Sequence, residues 1–163
     1  MYIIKRITKG SVATVLIIVF MLLLVILRIT SLSGATTAYC DIIGEYSTAI
    51  SDIFTTEDFL AQFGIQISKS SEQATKVIIP SEFNKVYENY NALQQLQGLN
   101  LEDYRGKIAT KYTYQVTNST ADTEVSCNII VCENTVIAGD LCTAGLNGTM
   151  TALTDKTLIQ GVK

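Results

Sequence analysis

The run Ser11–Leu27, SVATVLIIVFMLLLVIL, contains no ionisable side chain and almost no polar one. A stretch of that kind either enters lipid or is removed on the way to the mature protein. As a helix it would span about 26 Å, near the lower limit for a hydrocarbon core, and Ile29 extends it when Arg28 snorkels to the headgroups. One transmembrane helix over residues 11–29 is therefore expected. Lys5, Arg6 and Lys9 precede it with no acid nearby, whereas all 15 Asp and Glu lie from Asp41 onward. This asymmetry predicts a cytoplasmic tail at residues 1–10 and an extracytoplasmic C-terminal part, in a single-pass protein of the cell membrane. The alternative is a cleaved signal peptide and a secreted protein, because small residues follow at Ser31, Ser33, Gly34 and Ala35. The apolar core exceeds the ~7–15 residues usual for such peptides, which favours retention.

The residues beyond the span, about 130, suffice for one domain with a modest core. Eight basic side chains face 15 acids there, a net charge near −7, and no basic cluster offers a nucleic-acid surface. Residues 30–56 are read as a tether followed by a membrane-proximal helix, and residues 57–163 as the folded domain. Ile42, Ile43, Tyr46, Ala49, Ile50 and Ile53 recur at helical spacing, although Gly44 interrupts them. Thr55 with Asp58 three residues on forms a capping-box pattern, opening a short helix that Gly64 terminates.

Ile65–Ser68 and Lys76–Ile79 read as two strands joined by a polar turn over 69–74, with Pro80 ending the second. Ser81 then opens the main helix, 81–97, whose stripe of Phe83, Val86, Tyr87, Tyr90, Leu93 and Leu96 should cover a sheet. From Ile108 to Val116 the period becomes two, with Tyr112 and Tyr114 on one face, and Val125, Cys127, Ile129 and Val131 continue the pattern. Glu133-Asn134 occupies the place of a two-residue hairpin turn before a returning strand 135–141. The expected class is α+β: an antiparallel sheet of about five strands, covered on one face by the main helix, with Tyr112 and Tyr114 beneath it.

The absence of His removes Ser-His-Asp and Cys-His nucleophilic sites and His-ligated zinc. Cys127, Cys132 and Cys142 lack paired CxxC spacing, so no metal site and no cofactor are expected. With Glu133-Asn134 as the turn, Cys127 falls opposite Asp140 and diagonal to Cys142. A Cys127–Cys142 disulfide needs a small register shift, and free thiols packed as small core residues are the alternative. Tyr87, Tyr90, Tyr104, Tyr112 and Tyr114 are candidates for a recognition surface or for helix-on-sheet core. Asp140, between an apolar strand and a small-residue connection, is the one acid placed to be buried, and its plain role is to cap that turn.

Val77-Ile78-Ile79-Pro80, Phe83 to Tyr87, Tyr90 to Gln94 and Gln97-Gly98-Leu99 are followed by Tyr104 to Lys107 and Tyr112-Thr113-Tyr114. With Val136 to Asp140 and Leu146-Asn147-Gly148 as a closing motif, this order resembles an uncharacterised family of membrane-anchored clostridial Firmicute proteins, domain of unknown function 4830. The resemblance covers about residues 57–153. Glu133-Asn134 stands where the family tends to have Asp-Gly, and Ala138 where it tends to have Gly. The resemblance implies an extracytoplasmic placement in a Gram-positive cell and carries no activity.

Two functional classes remain. One is a non-catalytic envelope domain for protein interaction, sensing or assembly, with a protein partner met across a free sheet edge. The other is a small envelope hydrolase or ligand carrier using carboxylates and tyrosines.

Overall fold

The computed structural model describes residues 17–24, 37–145 and 148–159. Residues 1–34 and 35–163 form two separate compact units. In the first, residues 17–24 are helical (α1) and all eight side chains are exposed, by 42–62%. Among the described residues no helix is long and apolar enough to cross a membrane. The rest of the expected span, at 11–16 and 25–29, lies outside the described residues, as do the basic tail and most of the tether.

The second unit opens with a hairpin where a membrane-proximal helix was expected. β1 (Thr37–Cys40) pairs antiparallel with β2 (Gly44–Ser47), Cys40 opposite Gly44. Gly44 sits at φ +80°, a left-handed conformation that its missing Cβ allows and that ends any helix there. Burial follows period two: Cys40, Tyr46 and Thr48 are buried, while Ile42 and Ile53 of the supposed helical stripe are exposed. Gln62 completes the hairpin as a strand mimic, accepting from the Ser47 amide at 2.8 Å and donating to its carbonyl at 3.0 Å.

Helix α2 (Thr56–Ala61) has the expected capping box between Thr55 and Asp58. The amides of Gly64 and Ile65 close its end on the carbonyls of Ala61 and Leu60. Phe59, Leu60 and Phe63 are fully buried.

The five-stranded sheet has the order β3-β4-β5-β6-β7, comprising β3 (Ile67–Ile78), β4 (Ile108–Val116), β5 (Val125–Cys132), β6 (Thr135–Thr143) and β7 (Met150–Thr151). Every pair is antiparallel, so the chain is α+β as expected. The strands are not all the expected ones. The two strands and turn read over 65–79 are one strand, β3, carrying a bulge between Ser68 and Gln73. The Ser71 hydroxyl fills that bulge, donating to the Ser68 carbonyl and accepting from the Gln115 amide. A polar run that looks like a turn is thereby held in a strand. β3 is a sheet edge, and its bulge with Lys69 and Lys76 discourages strand addition.

Both sheet faces are covered. Tyr114, Val125, Cys127 and Ile129 pack with Tyr46 and α2, whereas Ala109, Cys132, Ile137 and Ala138 pack with Ile79 and Leu101. Helix α3 (Lys85–Gln95) lies on the second face, with Phe83 and Tyr90 against that cluster. It begins four residues later than expected. Ile79 is still tied to the chain at Gly106 and Lys107, and Asn84, rather than Ser81, caps the helix by accepting from both Val86 and Tyr87. Tyr112 and Tyr114 therefore lie under α2, not under the main helix.

The buried face of α3 is also not the apolar stripe. Val86 and Leu96 are exposed by 72%, while Asn91, Gln94 and Gln97 are buried. The Gln97 amide nitrogen donates to the Gly139 carbonyl at 2.9 Å and its oxygen accepts from Leu153 at 2.7 Å. The Gly139 amide donates to the Gln94 oxygen at 2.8 Å. These amides complete the outer edge of β6, which Thr48 and Ile50 cover at one end and β7 at the other.

Candidate functional site

The turn Glu133-Asn134 has positive φ at both residues, 50° and 63°, the geometry of a tight two-residue hairpin. Val131 faces Val136 as expected, but a bulge follows, and Ile130 then faces Ala138. The extra residue shifts everything beyond it by one. Cys127 faces Leu141, Asn128 faces Asp140, and Ser126 faces Cys142. Because side chains alternate along a strand, Cys127 and Cys142 point to opposite faces, and all four cysteines are free thiols. The Cys127–Cys142 disulfide, which needed a small shift from the unbulged register, is not formed, and the free thiols are the alternative that the sequence left open.

The same shift brings Asp140 to the α3 face beside Asn128. There it is 2% exposed and makes no turn cap. Its Oδ1 accepts from the Asn128 amide at 2.8 Å and the Cys142 thiol at 3.1 Å, and its Oδ2 accepts from the Tyr90 hydroxyl at 2.8 Å. Thr113 extends the row by donating to the Asn128 oxygen at 2.8 Å. Two neighbouring strands and one helix thus donate to one carboxylate, and β4 joins the row through Asn128. Burial and the adjacent Asp140 push the Tyr90 hydroxyl far above the ordinary tyrosine range, and burial and then Asp140 push the Cys142 thiol up to about 12. Both act as donors near neutral pH, not as nucleophiles.

Beside this row lies a cavity of about 600 Å³ between α3 and the sheet. Val77, Ile79, Leu93 and Ile130 supply apolar wall, and Tyr87 and Tyr90 enter from the helix. Asp140, Asn128 and Lys111 are its charged and amide groups on the sheet. Lys111 is half-buried and makes no ion pair among the described residues. The volume falls in the usual range of small-molecule sites, as does the pattern of apolar wall with few polar groups.

Of the tyrosines singled out in the sequence, only Tyr87 and Tyr90 reach this cavity. Tyr104 stands in a short 3-10 turn, Glu102–Tyr104, with the Lys107 ammonium 5.0 Å from its ring centre. Tyr112 and Tyr114 stack with ring centres 6.4 Å apart on the other face, where Tyr114 is tied to Thr56 and Glu72. Lys111, Thr113 and Asn128 were not singled out. Asn128 carries the one available signal, a lone amide inside the otherwise apolar run Cys127–Val131. Among the described residues no group of three or more His, Cys, Asp or Glu is placed to hold a metal.

A family model described as a domain of unknown function matches residues 59–141, half of the chain, from α2 to the Asp140 end of β6. The chain belongs to the family DUF4830. The DUF4830 match contains Lys111, Asn128 and Asp140 and stops short of Cys142 and Met150. No curated protein and no solved structure matches the chain.

Proposed function

We propose that this protein is a non-catalytic, extracytoplasmic binding domain held at the cell membrane by its N-terminal apolar segment, and that recognition takes place in the cavity under α3. The observation that carries the reading is the cavity itself. Its walls are largely apolar, its one acid is engaged by three donors, and the Tyr90 hydroxyl that lines it and the Cys142 thiol on the same acid are held protonated. A hydrolase would need a second acid or an activated nucleophile beside Asp140, and the described lining supplies neither. The ligand-carrier side of the second functional class gains weight, and strand addition at β3 loses it. For the anchor, the support is the uninterrupted apolar run and the eight exposed apolar side chains of α1.

The test is photo-crosslinking in intact cells with a reactive residue at Val86, on the cavity rim, and at exposed Gln115 on β4 as the control position. The full-length protein should capture a ligand or partner from Val86 and not from Gln115; equal capture would remove the cavity from the account. Protease added to protoplasts should digest residues beyond the tether, and full protection would reverse the topology. A mature N-terminus between Ser31 and Tyr39 would replace the anchor with secretion.

A further inference from the structure

The cavity holds two charged groups, and only one of them is engaged. Asp140 receives donors on both oxygens, whereas Lys111 has no ion-pair partner among the described residues. At the rim, Ile78, Val86 and Met150 leave 68%, 72% and 53% of their surface in water. An occupant that satisfies both features has an apolar body and an anionic end. We propose that the cavity binds a single-chain amphiphile of the long-chain carboxylate class, with its head on Lys111 and its chain along Leu93, Ile130 and the exposed rim. This deepens the binding reading above and rests on it.

The charge and its position narrow the class. One ammonium, without an arginine or a cluster of backbone amides, matches a monoanion better than a phosphate dianion. Lys111 faces Ile130, which faces Ala138, and Asp140 lies two residues along the same strand. At ordinary strand spacings this sets the two backbones about 12 Å apart. The charge of Asp140, two strands across the sheet from Lys111, repels an anion from its own end of the cavity and so orients the ligand toward the ammonium. Apart from Tyr87 and Tyr90 the apolar wall is aliphatic, and Met150 at the mouth can adapt to a flexible chain.

The protein contains no Trp, so a Val86→Trp replacement in the full chain places a single reporter on the rim. In nanodiscs of zwitterionic lipid, with empty nanodiscs correcting for partition, dodecanoate should shift its emission saturably. Affinity should rise by up to about fourfold per methylene from octanoate to dodecanoate. Dodecanol should bind at least tenfold more weakly. Lys111→Met should weaken dodecanoate at least tenfold while leaving dodecanol unchanged, and Lys111→Arg should restore binding. Equal binding of dodecanoate and dodecanol, indifferent to Lys111→Met, overturns the anionic class and leaves the cavity reading standing. Saturable binding of dodecyltrimethylammonium that is lost in Asp140→Asn overturns it in favour of a cation. No saturable shift with any of the three probes overturns this inference and the cavity reading together.

Discussion

Asp140 and Tyr90 show how one residue's role depends on a neighbour far away in sequence. The Tyr90 hydroxyl is the one donor to Asp140 Oδ2 among the described residues. Tyr90→Phe removes that donor without changing shape, and hydrogen bonds to charged groups contribute about 1.5–3 kcal/mol. Urea unfolding should show a loss of that size, with Tyr87→Phe, whose hydroxyl makes no hydrogen bond among the described residues, within about 0.5 kcal/mol of the parent. Asp140 stood out in the sequence because an acid follows apolar residues there, but its partners did not. One bulged residue in β6 decides whether Asp140 sits with Cys127 or with Asn128, and nothing in the local alternation announces the bulge.

Among the elements, α3 departs furthest from its sequence pattern. Its apolar stripe is only half used, and the residues fully withdrawn from water are amides. Burial of Gln97 is tolerable because it replaces a missing strand along β6, bonding the backbone of Gly139 and Leu153, whereas Gln94 accepts from Gly139 and leaves its own amide nitrogen without a partner among the described residues. Gly139 permits this close packing, since a Cβ there would lie 2.5 Å from the Leu153 side chain. Gln97→Met keeps the volume and strands a buried carbonyl and a buried amide, at about 1–3 kcal/mol each. Chemical denaturation should show a loss of roughly 2–6 kcal/mol, and a neutral substitution would mean that water replaces the side chain. Phe83→Ala should cost less than a core truncation, because Phe83 is only partly buried and covers Arg105 at 4.6 Å from its ring centre.

For the whole molecule, the buried hydroxyls and thiols make stability sensitive to alkali. Burial raises Tyr46, Tyr90, Tyr114, Cys127 and Cys142 above their ordinary ranges. A raised acid adds stability below its unfolded pKa and loses it as pH rises, because the unfolded chain ionises first. The urea midpoint should therefore be level through neutral pH and fall from about pH 9, where free thiols ionise, through the tyrosine range near 10. Lys156, lowered by burial, acts in the opposite sense and is outnumbered. A midpoint constant to pH 11 would show that these groups are wet. The same scale separates what the sequence holds from what it does not. The capping box at Thr55, the Glu133-Asn134 turn, the limits of β4 and the α+β class were legible, since each depends on residues a few positions apart. Residues 42–53 misled because their apolar spacing suits a helix, while the Gly44 turn and a buried face for Tyr46 favour a hairpin over 37–47. Alternation along β4 established that Tyr112 and Tyr114 share a face, yet with both faces covered it could not say which helix each would meet. That choice, the register beyond the β6 bulge and the burial of the amides of α3 and of Gln97 just past its end were decided by tertiary structure, because their partners lie across the fold, as Gln97 and Gly139 do at 42 residues' separation.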